Sequence, residues 1–429
     1  MAFKILYISY DGITDPLGQS QILPYLAGLA KEGYEFTILS FEKEDRFRKL
    51  KDTITKITSN AGIRWVPLKF TSRPPVLSKL YDRMKMRQTA LRLYRQNRYD
   101  MTHCRGYISA EIGLYLKRKK GVKFFFDMRG FWADEKKDGN AWNQNNLLFR
   151  QIYKHYKKKE AQFIKEADYI ISLTEAGKKE IMKWPSYNAD IPLSVIPCCA
   201  DMDVFSLASV PDKLKGRRLL GLAENDLVIS YLGSLGSWYM LDEMLALFAV
   251  IKQKYPSAQF LFVSHSPASM ILAKLSKYQI DEKDVMIREA MRHEVPLFIK
   301  ASDINISFIK PVYSKLSSSP TKLGEVLAMG IPIVVNSGVG DVKSIVEKSS
   351  GGIVIDEFTG ESYTMVANAI PRLLQTDPAT VRRNIEHIFS LREGIKLYRE
   401  AYIKVLGTDK PTNNPDEQQK DIVPRTLSI

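Results

Sequence analysis

The stretch DINISFIKPVYSKLSSSPTKLGEVLAMGIPIVV, residues 303–335, contains two short apolar segments with a helical pattern between them. The first segment, DINISFI, and the last, IPIVV, have the length and the β-branched composition of buried strands. The serines before Pro320 suit a helix cap, and proline suits a first helical turn, so a helix is predicted to start at Pro320 or Thr321. A strand, a helix and a second strand in this order form the unit of a parallel sheet.

The same alternation recurs on both sides of this stretch. Short apolar runs separated by helical patterns predict further strands, at FKILYIS, EFTILSF, VKFFFDM, DYIISLT and LSVIP in the first half and at DLVISYLG, AQFLFVS, DVMI and GGIVID in the second. Runs that are apolar throughout favour parallel sheets covered on both faces. The sequence therefore predicts an α/β protein with two doubly wound, Rossmann-like domains that face each other across a cleft.

A chain of 429 residues is too long for a single core, and its patterns predict where the domains divide. The aperiodic seam at residues 195–216 separates an N-terminal domain over residues 1–205 from a C-terminal domain over residues 206–390. We expect the closing helix, about residues 391–406, to pack on the N-terminal domain. The polar tail at residues 407–429 has the composition of a disordered segment.

The composition is that of a soluble globular protein, with 45% hydrophobic and 26% charged residues. No apolar run approaches the ~20 residues of a membrane span. The N-terminus predicts a strand rather than a signal peptide, so we expect a cytosolic protein. The three cysteines, Cys104, Cys198 and Cys199, have no metal-ligand spacing and favour small buried residues.

The net charge of +15 is concentrated in the first half of the chain. Residues 1–205 contain 36 Lys and Arg against 23 Asp and Glu, whereas the remaining residues contain 27 against 25. Such an excess indicates an anionic partner, which could be a phospholipid surface, a phosphate-bearing acceptor or a nucleic acid. A nucleic acid is disfavoured, because no recognition motif occurs and the aromatic residues do not interleave with the basic runs.

Residues 79–98 predict an amphipathic basic helix. Its apolar positions form one stripe, composed of Leu80, Met84, Leu91 and Tyr94, and seven Lys and Arg residues cover the rest. Two interpretations stay open. The helix is either a solvated cover of the core, or it is attracted to anionic lipid with roughly 1 kcal/mol for each basic residue near the surface.

The start of the Pro320 helix has the residues of a phosphate site. Free backbone N–H groups at a helix N-terminus attract phosphate. Lys322 is unfavourable in the first turn unless an anion offsets its charge, because the helix dipole already makes this end positive. Glu325 lies on the same side and could hold ribose hydroxyls. The stretch fits a nucleoside diphosphate; the alternative is a capped helix with a surface ion pair.

Here the chain resembles retaining glycosyltransferases of the two-Rossmann GT-B class, family 4. The family pattern P-x-K-x-x-E-x-x-A-x-G-x-P-(V/I)-V is matched by Pro320, Lys322, Glu325, Ala328, Gly330, Pro332 and Val334. Weaker matches are VIPCCADMDVF, PLGQSQILPYLAGLAKEGYEFTIL, YLGSLGSWYMLDEML and REAMRHEVPLFIKASDINISF, so that the resemblance covers about residues 3–360 in order. The subgroup most similar to this chain is associated with bacterial capsule and other surface polysaccharides.

The resemblance implies a donor site made from two regions. The predicted donor-binding residues are Gly18, Gln19, Arg288, Glu289, Ala290, Lys310, Ser318, Ser319, Thr321, Lys322, Leu323 and Glu325. Backbone near Arg288 would contact the base, Glu325 would hold the ribose, and Lys322 and Lys310 would hold the diphosphate. Backbone N–H groups at Gly18 and Gln19 are expected to approach the transferred phosphate or sugar. We expect Lys322 and Glu325 to act in catalysis.

The chain departs from the family pattern in the cleft. Many relatives have a further glutamate at the position of Ser317, and Arg129 stands where the family has an active-site histidine. Arg129 and His103, which lies at another predicted strand end, are therefore the candidate catalytic groups on the acceptor side. Asp134 and its acidic neighbours, between two tryptophans, fit either the floor of a sugar site or a solvated turn.

The resulting prediction is a cytosolic glycosyltransferase at the inner face of the plasma membrane, reached through the basic N-terminal helices. It would transfer a sugar from a nucleotide donor, UDP being favoured, to a lipid-linked or oligosaccharide acceptor with retention, in surface polysaccharide synthesis. No cofactor and no metal are expected, although Asp201 and Asp203 form a D-x-D pattern. The alternatives are a nucleotide-sugar epimerase of the same fold and a basic nucleic-acid-binding protein.

Overall fold

The computed structural model describes residues 2–207 and 213–408, without the side chains of residues 75–77. Its first sheet has seven parallel strands in the order β3-β2-β1-β4-β5-β6-β7. The strands are β1 (Phe3–Ser9), β2 (Tyr34–Glu42), β3 (Arg64–Lys69), β4 (Met101–Arg105), β5 (Lys123–Asp127), β6 (Tyr169–Ser172) and β7 (Leu193–Val195). The helices between them are α1 (Pro16–Gln21), α2 (Leu23–Lys31), α3 (Glu44–Asn60), α4 (Pro75–Asn97), α5 (Gly106–Lys120), α6 (Trp132–Asp138), α7 (Leu147–Glu166) and α8 (Glu175–Ile181).

The second sheet has six parallel strands in the order β10-β9-β8-β11-β12-β13. The strands are β8 (Leu227–Leu232), β9 (Ala258–Val263), β10 (Val285–Arg288), β11 (Ile304–Ser307), β12 (Ile333–Asn336) and β13 (Gly352–Ile355). The helices are α9 (Lys213–Leu220), α10 (Leu241–Lys254), α11 (Ser269–Leu275), α12 (Val295–Ala301), α13 (Thr321–Ala328), α14 (Val342–Ser349), α15 (Gly360–Leu374), α16 (Pro378–Phe389) and α17 (Leu391–Leu406), with 3₁₀ turns at Ser276–Tyr278, Glu282–Asp284 and Tyr313–Ser317.

Both sheets reverse their strand order once, next to β1 and β4 in the first and next to β8 and β11 in the second. Ligands of doubly wound sheets bind at the carboxyl edge of such a reversal. The prediction of two doubly wound α/β domains is confirmed. The sequence reading missed β3, a six-residue edge strand that contains Pro67, because proline argues against a strand unless the strand lies at an edge.

The first helical pattern, at residues 19–33, was expected to form one helix but forms two. Ile22 separates α1 from α2 with φ −125° and ψ −64°, outside the helical region. Pro24 then occupies the first turn of α2, where its missing N–H costs nothing. The break lets α2 leave the direction of α1 and lie against β2.

The expected apolar stripe of α4 is wrong at two positions. Leu80 and Met84 are 48% and 59% exposed, whereas Met86, Ala90 and Leu93 are buried in the core of the first domain. The buried positions follow the i, i+4, i+7 spacing of one helix face; Leu91 and Tyr94 also pack on this core, whereas Leu80 and Met84 face the solvent. The solvent-facing side of α4 is therefore partly apolar as well as basic.

The last helix, α17, lies on the first domain, and the chain crosses to it from α16, which packs on α13 of the second domain. Tyr398 and Tyr402 of α17 are buried against Phe125 of β5. Gly28 of α2 makes room for α17, since a Cβ there would lie 2.3 Å from the Ile395 side chain. The predicted disorder of the polar tail falls on residues 409–429, which lie outside the described residues.

Candidate active site

A cleft with a volume of about 1110 Å³ lies between the carboxyl edges of the two sheets. Its first-domain wall comes from the loops after β1, β4 and β5, and its second-domain wall from residues 238–239 and 315–321. The central lining residues are Tyr10, Gly12, Arg105, Arg129, Trp132, Cys198, Tyr239, Lys315, Ser318, Ser319, Pro320 and Thr321. The N-terminus of α13 therefore opens into the cleft, as the sequence predicts.

The serines before α13 hold the two domains together. The Ser317 hydroxyl accepts a hydrogen bond from the Phe131 N–H at 2.8 Å, and the Ser319 hydroxyl accepts one from the Cys198 N–H at 3.1 Å. The Thr174 hydroxyl donates to the Leu316 carbonyl at 2.6 Å. Ser317, at the position of the relatives' glutamate, is thus an inter-domain contact. Ser319 lines the cleft with its hydroxyl already bonded to the first domain.

An ion pair that the sequence did not suggest spans the same boundary. Lys315 is buried, its Nζ lies 2.6 Å from Glu135, and its ammonium lies 4.0 Å from the centre of the Trp238 ring. Asp138 accepts the Ser314 N–H at 3.0 Å. The acidic turn after β5 is therefore not a solvated turn, and Trp132, Glu135 and Trp142 line the cleft. Two of its carboxylates bind the second domain.

Lys322 is buried behind the cleft. Its Nζ donates to the Tyr231 hydroxyl at 3.1 Å and lies 3.8 Å from the centre of the Tyr239 ring. A Cβ at Gly233 would lie 3.0 Å from this nitrogen, so the loop after β8 passes directly over it. Burial lowers the pKa of Lys322 from 10.5 to about 7, although Glu325 acts in the opposite direction.

Glu325 is also buried, and it forms an ion pair with Arg292 rather than with Lys322. Burial raises the pKa of Glu325, an effect that Arg292 reduces. The Arg292 guanidinium lies 4.8 Å from the centre of the Phe205 ring. The alternative of a surface ion pair between residues 322 and 325 is therefore wrong. Among the described residues, only Oε1 of Glu325 has a hydrogen-bond partner.

The structure spreads the remaining predicted donor residues over different environments. Ser318 and Thr321 line the cleft, whereas Leu323 is buried in the second core. Lys310 is exposed and is not among the described residues that line the cleft, which contradicts its expected place at the diphosphate. At the end of β10, Arg288 and Glu289 are exposed, and Ala290 is buried.

Lys322 lies one layer behind the cleft surface. It lines a small neighbouring cavity together with Leu323, Pro320 and Ile309, and the last two also line the cleft. Tyr239 lines the cleft and covers the ammonium. The route from the cleft to Lys322 therefore passes Pro320 and the ring of Tyr239.

The glycine loop after β1 is built differently from the expectation. The Gln19 N–H donates to the Asp15 carbonyl at 3.0 Å within α1, so it cannot also bind a phosphate. Gly18 is buried, and a Cβ there would lie 2.2 Å from the Gly12 carbonyl oxygen. The glycine is required by the close approach of the loop to α1 rather than by a ligand.

Glu42, at the end of β2, organises this loop. Its buried carboxylate accepts the N–H groups of Ile13 and Thr14 at 2.9 and 3.0 Å, and the hydroxyls of Thr14 and Ser40 at 2.6 Å each. These are the N–H groups that would otherwise be candidates for a phosphate. The sequence signal for this role is a carboxylate at the carboxyl end of a strand adjacent to β1.

His103 does not face the acceptor, contrary to the expectation. It is 2% exposed, its Nδ1 lies 2.6 Å from the Tyr402 hydroxyl of α17, and its Nε2 lies 3.4 Å from Asp127. Burial lowers its pKa from 6.5 despite Asp127, so the ring is uncharged at neutral pH. Arg105, two residues further along β4 and on the same face of the strand, lines the cleft instead.

Arg129 lines the cleft, as expected for a group on the acceptor side. Its φ of 56° places it in the left-handed region, which is uncommon for a residue other than glycine. Its Nη2 donates to Cys198 Sγ at 3.1 Å, and its Nη1 lies 3.8 Å from Asp127. Burial opposes ionisation of Asp127, but Arg129, His103 and Arg105 outweigh it and lower the pKa of this carboxyl.

The D-x-D pattern has a local structural role. Asp201 accepts the N–H groups of Asp203 and Val204 and so closes a turn. In residues 2–207 and 213–408, no group of three or more His, Cys, Asp and Glu side chains is arranged to hold a metal ion. None of the helices over the same ranges is long and apolar enough to cross a membrane.

Comparison with known proteins assigns the class. The cleft between two doubly wound domains is that of a GT-B glycosyltransferase, and two family models match the chain. The model for Glycosyltransferase Family 4 matches residues 22–204, and the model for Glycosyl transferases group 1 matches residues 212–387. Together they cover most of both domains. The chain therefore belongs to the glycosyltransferases in which a Family 4 domain precedes a group 1 domain.

Solved structures of the same fold cover nearly the whole chain. Sucrose-phosphate synthase from Thermosynechococcus elongatus has a TM-score of 0.67 at 16% identity, and Anabaena HepE in complex with UDP-glucose has 0.67 at 15%. WaaG, a glycosyltransferase involved in lipopolysaccharide biosynthesis, has 0.68 at 13%. Each match covers 93% of this chain and 99% of the other. At these identities the likeness shows the fold alone. No curated protein matches the chain by sequence.

Proposed function

We propose that the protein transfers a sugar from a UDP-sugar to a lipid-linked or oligosaccharide acceptor, with retention of configuration, in the synthesis of a surface polysaccharide. One observation carries this proposal: the N-terminus of α13 opens into an inter-domain cleft with Lys322, Glu325 and Arg292 clustered behind it. Several of the solved structures with this fold are glycosyltransferases by title, and HepE was determined with UDP-glucose.

The diphosphate would lie at the start of α13. Thr321 and Ser318 line the cleft there, and the free N–H groups of the first helical turn would bind the anion. Tyr239 would turn aside, so that the diphosphate reaches the ammonium of Lys322. A negative ligand restores the charged form of this lysine, whose pKa burial lowers to about 7.

The nucleoside would lie between Glu325 and the end of β10. The free Oε2 of Glu325 can accept a ribose hydroxyl while Oε1 stays on Arg292, which fixes the carboxylate in position. The base would lie against the backbone at Arg288–Ala290, where β10 ends at the same sheet edge. Arg292 thus orients Glu325, and sequence reasoning had missed it.

Transfer would depend on position and charge rather than on a protein nucleophile. The inter-domain contacts at Ser317 and Lys315 hold the two walls together and exclude water from the reacting atoms. Lys322 and the N–H groups of α13 would stabilise the departing diphosphate. A phosphate oxygen of that leaving group would take the proton of the acceptor hydroxyl as the new bond forms on the same face. No metal is needed in this scheme.

An apolar and basic rim suggests how a lipid-linked acceptor reaches the cleft. Leu80, Tyr81 and Met84 of α4 are 48%, 54% and 59% exposed, and Leu147 and Leu148 at the start of α7 are 71% and 59% exposed. Both helices also contribute residues to the cleft wall. We propose that this rim docks on the anionic inner face of the plasma membrane, where basic residues add electrostatic attraction.

Two measurements test the proposal. A thermal-shift screen of UDP-glucose, UDP-N-acetylglucosamine and GDP-mannose should raise the melting temperature with at least one UDP-sugar. With that donor, Lys322→Ala should lower turnover by about 10²- to 10³-fold, as for loss of one charge-stabilising donor, while Lys348→Ala, an exposed lysine of α14, should match the wild type. Undiminished turnover of Lys322→Ala would reject the assigned role.

Incubation with donor alone separates transfer from epimerisation. A glycosyltransferase releases little UDP until an acceptor is added, whereas an epimerase of this fold releases free UDP or converts the sugar without an acceptor. Tight nucleic-acid binding with a steep salt dependence and no response to nucleotide sugars would instead support the non-enzymatic alternative.

A further inference from the structure

The first-domain wall of the cleft contains two buried guanidinium groups that share one carboxylate. Arg105 and Arg129 both line the cleft, with side chains 5% and 11% exposed. Asp127 lies 4.0 Å from Arg105 and 3.8 Å from Arg129, too far for a hydrogen bond to either. The group has two positive charges and one negative charge.

The N–H groups of these guanidiniums are incompletely satisfied. Among the described residues, Nε and Nη1 of Arg105 and Nε of Arg129 are buried and have no hydrogen-bond partner. Arg129 donates to the weak acceptor Cys198 Sγ at 3.1 Å, and Arg105 has a side-chain hydrogen bond with Tyr7. Burying a charged donor without a hydrogen-bond partner is costly. Such groups are retained where a ligand supplies the missing acceptor.

The neighbouring titratable groups add no charge that would balance the pair. His103 is uncharged at neutral pH because burial lowers its pKa. Tyr7 and Tyr398 are buried beside Asp127, and burial raises the pKa of both phenols, so they are uncharged as well. The cluster of Arg105, Arg129 and Asp127 therefore keeps one unbalanced positive charge.

We propose that Arg105 and Arg129 form a binding subsite for an anionic group, a carboxylate or a phosphate ester, on one of the two saccharide substrates. This inference rests on the proposed glycosyl transfer and specifies the charge of its substrate. A guanidinium presents a planar fork of N–H groups that matches the oxygens of such an anion. The left-handed backbone at Arg129 holds one fork at the cleft surface at a cost in backbone strain, as is common where a side chain contacts a ligand.

The anion can come from the donor or from the acceptor, and paired probes distinguish the two sources. The donor arm compares UDP-glucuronic acid with UDP-glucose, which differ in charge at the sugar. The acceptor arm compares methyl glucuronide and glucose 1-phosphate with methyl glucoside, each with and without UDP. Dissociation constants are measured by titration calorimetry at one fixed ionic strength for the wild type, Arg105→Met and Arg129→Met.

We expect the anionic probe of one arm to bind the wild type about tenfold or more tightly than its neutral counterpart. Either Met substitution should remove this preference, so that the variant binds the charged and the neutral probe with similar affinity. Arg118→Met removes an equal charge from an exposed arginine paired with Glu166 and should keep the preference. Arg129→Lys keeps the positive charge but loses the planar set of guanidinium N–H groups, so it should retain part of the preference for the anionic probe.

The proposal is overturned if the wild type binds charged and neutral probes equally in both arms. It is also overturned if the preference survives both Met substitutions. The wild-type comparison decides the matter even where a Met variant does not fold. Failure of the glycosyltransferase proposal is distinguishable, because then no UDP-sugar binds at all, and the acceptor arm without UDP still tests the subsite.

Discussion

Lys322 should make donor binding depend on pH. Burial lowers the pKa of this lysine to about 7, and the opposing contribution comes from Glu325 alone. With that pKa, the ammonium is about nine-tenths protonated at pH 6 and about one-hundredth protonated at pH 9. A bound diphosphate stabilises the protonated form and therefore raises the pKa of Lys322. Above pH 7, where the free protein has lost this proton, binding is accompanied by proton uptake.

The magnitude follows from this shift. If the diphosphate holds the pKa of Lys322 well above 9, the dissociation constant for UDP-glucose should rise about 90-fold from pH 6 to pH 9, which corresponds to about 2.7 kcal/mol. Almost all of the rise should occur above pH 7, because below that value the lysine is already protonated. UDP-glucose is the suitable ligand, since its pyrophosphate diester does not titrate in this range.

Titration calorimetry measures both quantities. The dissociation constant gives the profile, and the same titration in two buffers of different ionisation enthalpy should give an uptake of about 0.9 proton for each UDP-glucose bound at pH 8. Lys322→Met should bind UDP-glucose more weakly below pH 7, and its dissociation constant should not change with pH. This result would assign the pH dependence to Lys322 rather than to Glu325. A wild-type affinity that stays constant from pH 6 to pH 9, with no proton uptake, would refute the reasoning.

Three further outcomes follow from contacts around the cleft. Gly18→Ala should lower the free energy of unfolding by about 3 kcal/mol, because its Cβ would overlap the loop backbone, whereas Gly236→Ala, with open space at its Cβ, should have little effect in the same urea titration. Glu42→Gln should cost about 2 kcal/mol in that assay, since an amide cannot accept all four hydrogen bonds of the carboxylate. Lys315→Met should leave Glu135 unpaired and loosen the domains, with an increase in the radius of gyration by small-angle scattering; an unchanged radius would contradict this role.

The periodic parts of the chain could be predicted from sequence because each element satisfies a local rule. The strand at Ile304–Ser307, the helix start at Thr321 and the strand at Ile333–Asn336 lie where their apolar runs and caps place them. Lys322 was selected because a lysine conflicts with a helix start that has no ligand, and Glu325 because it lies on the same side of that helix. These inferences need only neighbours in sequence.

The partners of these residues could not be predicted, since they come from distant parts of the chain. Glu325 pairs with Arg292 from the loop before α12, and Lys322 lies under Tyr231 of β8 and Tyr239 of the loop after it. His103 was selected because it is a histidine at a predicted strand end. Its burial results from α17, because Tyr398 and Tyr402 of this helix, near the other end of the chain, cover the imidazole ring.

The two walls of the cleft share one electrostatic property. The second domain buries Lys322 with its pKa lowered, and the first domain buries Arg105 and Arg129 against a single carboxylate. Each wall therefore bears a cost of buried positive charge that an anion would relieve. A substrate with a diphosphate at one end and a second negative group nearby would relieve both costs at once, so binding at one wall should favour closure on the other. Ser319 of the second domain and Arg129 of the first both bind Cys198, so this cysteine joins the two walls.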